Sequence, residues 1–220
     1  MRKVTIIFTK NEMRSDKKIH KTTIISFNIF SIIAKKINGI HNFKTNIMIT
    51  FEQDIRNENI RDIAKMLMTA ARTAPKARGT DNLVLAVATD DTIVELAEKM
   101  KQLAVERNME FLNRDAENIL NCGAVVLFGM KISPLGLNCG ACGFKTCGDK
   151  PKNVPCFFNA NDLGIAIGSA ASLAADMRVD SRVMFSVGQA VLALNLLPEC
   201  SMVLALPLAV KGKSIFFDRI

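Results

Sequence analysis

Four of the six cysteines in this 220-residue chain fall within eighteen residues, as Cys139, Cys142, Cys147 and Cys156 in the string NCGACGFKTCGDKPKNVPC, a C-x2-C-x4-C-x8-C spacing. A cubane iron–sulfur cluster needs a thiolate at each of four corners; C-x2-C supplies two from one tight turn, and the later pair closes the other side. Gly140, Gly143 and Gly148 let the backbone fold around such a group and aim N–H groups at its sulfurs. Structural zinc on four thiolates has the same ligand number and stays open, although zinc ribbons usually pair two C-x2-C knuckles and only one is present. Disulfides are disfavoured in the reducing cytoplasm, where a chain without a convincing signal sequence is expected. Cys122 and Cys200 stand outside the spacing and read as small buried apolar residues.

Other chemistry is scarce. Trp and Tyr are absent, which removes the phenol as an acid, and the only histidines are His20 and His41. Residues 48–220 therefore hold no histidine, so Ser-His-Asp and Cys-His catalysis are unavailable there. The net charge of +8 suggests nucleic acid until it is located: residues 1–47 carry ten Lys/Arg against two Asp/Glu, and the remainder is balanced at 19 of each. No nucleic-acid partner is expected for the balanced part. No apolar run reaches the roughly 18 residues of a membrane span, so no membrane partner is expected either.

The first 47 residues also differ in vocabulary, with eleven Ile and no Leu, whereas residues 48–220 contain nineteen Leu. Two compositions meet near Met48. The division expected is a basic, Ile/Lys-rich extension over 1–47 and a folded domain over 48–220. One reading of the extension is AT-rich upstream sequence translated from a misassigned start, with Met48 the true initiator. A signal peptide fits less well, because Lys35-Lys36 stands where small residues would mark cleavage.

These cysteines need a scaffold. Ile60, Ile63, Ala64, Leu67, Met68 and Ala71 recur at helical spacing and predict a helix over 58–73, stopped before Pro75. After a loop, the run Leu83 to Ala88 reads as a buried strand. Asp91 is the expected N-cap of a second helix carrying Ile93, Leu96, Ala97, Met100, Leu103 and Ala104. A short helix near 113–120 leads to a strand from Ala124 to Met130, and then to the Cys- and Gly-rich loop 133–156. A helix over about 161–177 follows, with small residues Gly164, Gly168, Ser169 and Ala171 suited to close packing. Arg182 to Val187 reads as a strand, Gly188 to Leu197 as a helix, and Met202 to Ala209 as a last strand. Alternating helices and apolar strands predict a layered α+β (α/β-like) domain with a covered sheet.

The segment CGACGFKTC resembles the binding loop of the four-iron, four-sulfur domain of corrinoid iron–sulfur proteins, although the fourth cysteine of that domain usually comes later than Cys156. With DLGIAIGSAASLAADMRVDSRVMFSVGQA and the closing GKSIFFDR, the chain from Asn57 to Arg219 resembles the uncharacterised ferredoxin-domain-containing family. A more distant resemblance links LMTAARTAPKARGTDNLVLAVATDD and DLGIAIGSAASLAA to the flavin nitroreductases. That resemblance implies a nitroreductase-like mixed sheet flanked by helices, here with the Cys-rich loop inserted, and a homodimer with FMN at its interface. Nitroreductases open with an Arg-x-Ser-x-Arg run that binds the FMN phosphate, and nothing like it precedes Arg56. Arg72, Lys76 and Arg78, with Lys211 and Lys213 later, are the cations that could replace it.

Three functions follow as expectations. One is an iron–sulfur oxidoreductase passing electrons between a 4Fe-4S cluster and a flavin or small-molecule acceptor, with cofactors carrying the hard chemistry. Another is a ferredoxin-like electron carrier serving a redox partner protein. The third is a structural zinc protein whose metal closes a loop that could not pack alone.

Overall fold

The computed structural model describes residues 49–217, so the reading of an extension over 1–47 lies outside the described residues. The first helix, α1 (Glu52–Thr73), begins six residues before the periodicity suggests. Glu52 and Asp54 complement its positive end, and Arg56 pairs with Glu52 one turn away. It stops at Ala74, before Pro75. Then come a short 3-10 turn (Ala77–Gly79), β1 (Leu83–Ala88), α2 (Asp90–Glu106), α3 (Phe111–Leu120), β2 (Ala124–Lys131), α4 (Phe157–Asp176), β3 (Asp180–Ser181), α5 (Phe185–Ala193) and β4 (Cys200–Ala209). The N-cap of α2 is Thr89, not Asp91; Asp90 and Asp91 instead occupy the first turn, where their carboxylates meet the helix dipole.

The four strands form one sheet in the order β1-β2-β4-β3. The α+β class expected is the class found, but every described pairing is antiparallel, so the mixed sheet is corrected to an antiparallel one. The connection between β1 and β2 explains the direction of that pair. It contains two helices joined by a short turn, and the helix pair returns the chain to the end of the sheet it left.

β2 is buried along nearly its whole length and divides its side chains between two cores. Ala124, Val126, Phe128 and Met130 join Leu67 of α1 and Ala166 and Ala170 of α4 on one face. Val125 and Leu127 join Leu96 and Met100 of α2, Ile119 of α3 and Val187 of α5 on the other. A strand covered on both sides needs no polar alternation, which is why this run is apolar throughout.

Arg182 to Val187 is not a strand. Only Asp180 and Ser181 pair with the end of β4, at Ala209 and Leu208, Met184 exchanges two backbone hydrogen bonds with Ala205 (2.8 and 3.0 Å), and helix begins at Phe185. Gly188 makes this arrangement possible, because a Cβ there would lie 1.8 Å from the Val203 carbonyl oxygen. The helix thus rests directly on the backbone of β4. Gly164 and Gly168 behave differently from expectation: a Cβ at either meets nothing within 4 Å, so neither is needed for close packing of α4. Among the described residues no helix is long and apolar enough to cross a membrane.

Candidate functional site

The Cys-rich loop leaves strand β2 and returns at the start of α4, and side chains from the segment before β1 and from α4 fasten it. Asn82 and Asn159, both buried, donate to the Ser133 carbonyl at 3.3 and 2.6 Å, and Asn82 also donates to the Asn159 side-chain oxygen at 3.4 Å. Arg78 Nη1 donates to the Leu135 carbonyl at 2.9 Å. Beyond this anchored entry the chain turns sharply: Gly136, Asn138, Gly140 and Gly143 all have positive φ. The Gly143 N–H closes a turn onto the Gly140 carbonyl at 2.9 Å, directly after Cys139 and around Cys142. φ values of 72° and 87° at these glycines are what the absence of a Cβ permits.

Asn138 ties the first and third cysteine segments together. Its side-chain oxygen accepts the Cys147 N–H at 2.8 Å, and its own N–H donates to the Cys147 sulfur at 3.4 Å. Downstream, the Thr146 hydroxyl donates to Asp149 at 2.8 Å, and Lys150 donates to the Val154 carbonyl. These local bonds give an otherwise irregular segment its shape.

Cys156 is the N-cap of α4, four to five residues earlier than the periodicity placed that helix. Burial pulls its thiol pKa up, but the backbone N–H groups of Leu135, Asn159 and Phe158 act on the sulfur as donors and the Lys150 ammonium adds its charge; the net shift is downward. A helix N-terminus favours an anion for the same reason.

Cys139, Cys142, Cys147 and Cys156 line one hollow, together with the apolar side chains of Leu135, Leu137, Phe144, Phe157 and Phe158. No carboxylate belongs to this lining. All six cysteines are free thiols. Among the described residues no group of three or more Cys, His, Asp or Glu side chains is gathered to hold a single metal ion. The four thiols thus surround a shared space, and a donor set of thiols without carboxylate or imidazole is one that suits soft, thiophilic centres.

The two remaining cysteines sit elsewhere. The Cys122 thiol donates to the Asn118 carbonyl at 3.4 Å, and burial pushes its pKa up to about 12. Cys200 is buried against Gly129, and burial raises its thiol too. Both stay protonated at neutral pH.

The cations proposed for a flavin phosphate are all engaged by protein groups. Arg72 donates to Asp81 at 2.6 Å and to the Leu83 carbonyl at 2.8 Å. Lys76 caps the C-terminal end of α1, donating to the carbonyls of Arg72 (2.7 Å) and Ala74 (2.9 Å). Arg78 faces the cysteine loop. Lys211 donates to the Asn121 side chain at 3.3 Å.

Sequence reasoning missed Asn82, Asn138 and Asn159, and it did not foresee that Arg78 reaches the Leu135 carbonyl. Asn138 left a readable signal, since an Asn directly before the first cysteine tolerates the left-handed backbone that a tight loop needs. The partners of Asn82 and Arg78 lie more than fifty residues away and leave none.

Residues 152–219 match the family model described as uncharacterized protein containing a ferredoxin domain (DUF2148), a stretch that includes Cys156, α4, α5 and β4. An uncharacterized protein of Archaeoglobus fulgidus is 34% identical over 182 residues, covering 78% of this chain and 98% of the relative. Among solved structures, a nitroreductase with bound FMN from Bacteroides fragilis is 12% identical with a TM-score of 0.47, covering 72% of this chain and 82% of that one. The oxidoreductase YcnD of Bacillus subtilis is 17% identical with a TM-score of 0.47, covering 70% and 58%. Nitroreductase A of Vibrio parahaemolyticus is 12% identical with a TM-score of 0.45, covering 70% of this chain, which spans 60% of that protein. The near full-length match to the archaeal relative and the family model's match over α4 to β4 agree, and the chain belongs to the family of proteins containing a ferredoxin domain.

Proposed function

We propose that the chain is an iron–sulfur redox protein holding a 4Fe-4S cluster on Cys139, Cys142, Cys147 and Cys156. One observation carries the reading: all four thiols line a single hollow walled by apolar side chains and free of carboxylates. When bound, the cluster supplies one-electron transfer. The chain's residues do the rest. Leu135, Phe144 and the Phe157–Phe158 pair limit water, while the α4 N-terminus, Lys150 and the Asn138 amide offset thiolate charge. The setting we infer is the reducing cytoplasm, where free thiols stay available for metal.

On this reading the protein is an oxidoreductase whose electrons go to a flavin or small-molecule acceptor. A ferredoxin-like carrier without flavin is the second reading, favoured by the engagement of Arg72, Lys76 and Arg78 with protein groups. The test is anaerobic purification followed by iron, sulfide, zinc and flavin analysis. Roughly four iron and four sulfide per chain are expected; zinc without sulfide would overturn the cluster. Saturable quenching of FMN fluorescence supports the flavoenzyme, and its absence in cluster-loaded protein leaves the carrier.

A further inference from the structure

The basic side chains of this domain are almost all engaged within the chain. Among the described residues every lysine and arginine has a hydrogen-bonding, ionic or ring partner except Lys145, Lys152 and Arg178. Two of these three stand on the cysteine loop, and both are exposed. Lys145 directly follows Phe144, and Lys152 comes two residues after Lys150; Phe144 and Lys150 both line the cysteine hollow. Residues 132–161 carry these three lysines against a single acid, Asp149, which is taken up by the Thr146 hydroxyl and N–H. The mouth of the hollow is apolar as well as positive. Leu137 (38% exposed) and Phe157 (49% exposed) line it and also meet solvent, and Cys139 is itself exposed. A free surface lysine does little for folding stability, but it supplies the long-range attraction that steers charged partners. Apolar contact beside unpaired charge is the make-up of a protein-docking face. A small anion finds no bonding partner in Leu137 or Phe157, whereas a protein face covers them.

We propose that this face docks an acidic, one-electron redox protein, with Lys145 and Lys152 supplying the steering charge and Leu137 and Phe157 the contact over the cluster. This rests on the cluster reading above and deepens it, naming the kind of partner through which electrons enter or leave. Encounters of this kind are small, burying less than about 1,200 Å². Charge, more than area, then governs how fast they form.

The test uses the anaerobically purified, cluster-loaded full chain, reduced and then mixed with two one-electron acceptors of opposite charge. One is plastocyanin, an acidic blue-copper protein; the other is cytochrome c, a basic haem protein. One electron passes from the reduced cluster to Cu(II) or Fe(III), giving the oxidised cluster and Cu(I) or Fe(II), with no bond made and no proton moved. At about 0.1 M salt, Lys145→Glu with Lys152→Glu is expected to slow the reaction with plastocyanin roughly three- to tenfold and to leave that with cytochrome c unchanged or faster. Raising the salt to about 0.5 M should bring variant and parent together. Arg178→Glu is the control. Arg178 follows the C-terminal end of α4, whose 20 residues put it about 30 Å from the loop at the other end, some three Debye lengths at the lower salt, so its rate should match the parent's. A second readout needs no electron transfer: adding the reduced holoprotein to isotope-labelled Cu(I) plastocyanin and following amide shifts should give a Kd several-fold higher for the double variant. A plastocyanin rate unchanged by the double substitution overturns the proposal. Equal slowing with both acceptors also overturns it, because the lysines would then act on the cluster itself, and equal slowing by Arg178→Glu does so by assigning the effect to net charge. If the double variant loses iron, Lys145→Gln with Lys152→Gln replaces it with a smaller slowing expected, and loss of iron from that variant too overturns the proposal. Absence of iron and sulfide from the unsubstituted protein is the distinct result that removes the cluster reading, and the proposal with it.

Discussion

The same substitution, Gly to Ala, should act with opposite sign at two helices. In Gly188→Ala the new methyl would lie 1.8 Å from the Val203 oxygen and 2.6 Å from its carbonyl carbon, both backbone atoms of β4 that cannot swing aside. Restoring ordinary contact requires α5 and β4 to separate by roughly 1.5 Å, enough to forfeit half or more of each dispersion contact across the gap. Val187, Ala190 and Val191, all fully buried on that helix, would lose their packing. Against this, alanine gains only about 1 kcal/mol of helix propensity over glycine. The net expectation is a loss of about 2–3 kcal/mol. In Gly164→Ala or Gly168→Ala the methyl meets open space, so the propensity gain stands alone and each variant should be about 0.5–1 kcal/mol more stable. Urea unfolding followed by far-ultraviolet circular dichroism measures both, with shifts in midpoint at constant slope. Gly188→Ala within about 0.5 kcal/mol of the parent protein, the ordinary scatter of surface substitutions, would refute the close approach of α5 to β4. A loss of stability at Gly164 or Gly168 would mean that this face of α4 is covered by something.

Replacing any of Cys139, Cys142, Cys147 or Cys156 with Ser should lower iron and sulfide content, whereas Cys122→Ser and Cys200→Ser should keep both; the reverse pattern in metal analysis would reassign the ligands. Burial raises the Cys122 pKa to about 12 from 9.0, so its contribution to stability is complete below about pH 9 and is lost as pH rises towards 12. Cys122→Ala should flatten that alkaline decline relative to the parent in paired urea titrations, and parallel curves would refute the burial effect. A chain beginning at Met48 should stay soluble with the same metal content and thermal midpoint, because the break in charge and Leu usage lies there; a marked drop in the midpoint would show that the core needs the preceding segment.

Elements whose side chains face one predictable surface were legible. The registers of α1 and α2 follow from their apolar spacing, and β2 announced itself as a run too apolar for any half-exposed strand. The segment from Arg182 to Val187 misled because Val183, Phe185 and Val187 alternate like a strand. What makes part of it helical is tertiary: Gly188 admits the β4 backbone, a contact with a partner fifteen residues downstream that no local propensity encodes. The sheet's direction was obscured in the same way. Two helices between β1 and β2 were visible in the sequence, but their return path matters only once the strands pair.

The cysteine loop divides along a related line. Four thiols at close spacing announce a shared ligand because the chemistry lies in the residues themselves. Their supports do not announce themselves, because Asn82, Asn159, Arg78 and Asp162 are ordinary polar residues until the fold brings them to the Ser133 and Leu135 carbonyls and the Ala77 N–H. The three loop cations show the same limit from the other side. Arg72, Lys76 and Arg78 crowd seven residues and suggest an anion, yet folding directs each to oxygens of this chain: Asp81 and Leu83, the end of α1, and Leu135. A helix C-terminus and a loop entry both present backbone carbonyls without a helix or sheet partner, and a nearby cation answers that local need. Each cation of this basic cluster thus has an acceptor within the chain, a local need that places positive charge between a helix and a strand whether or not an anion is bound there.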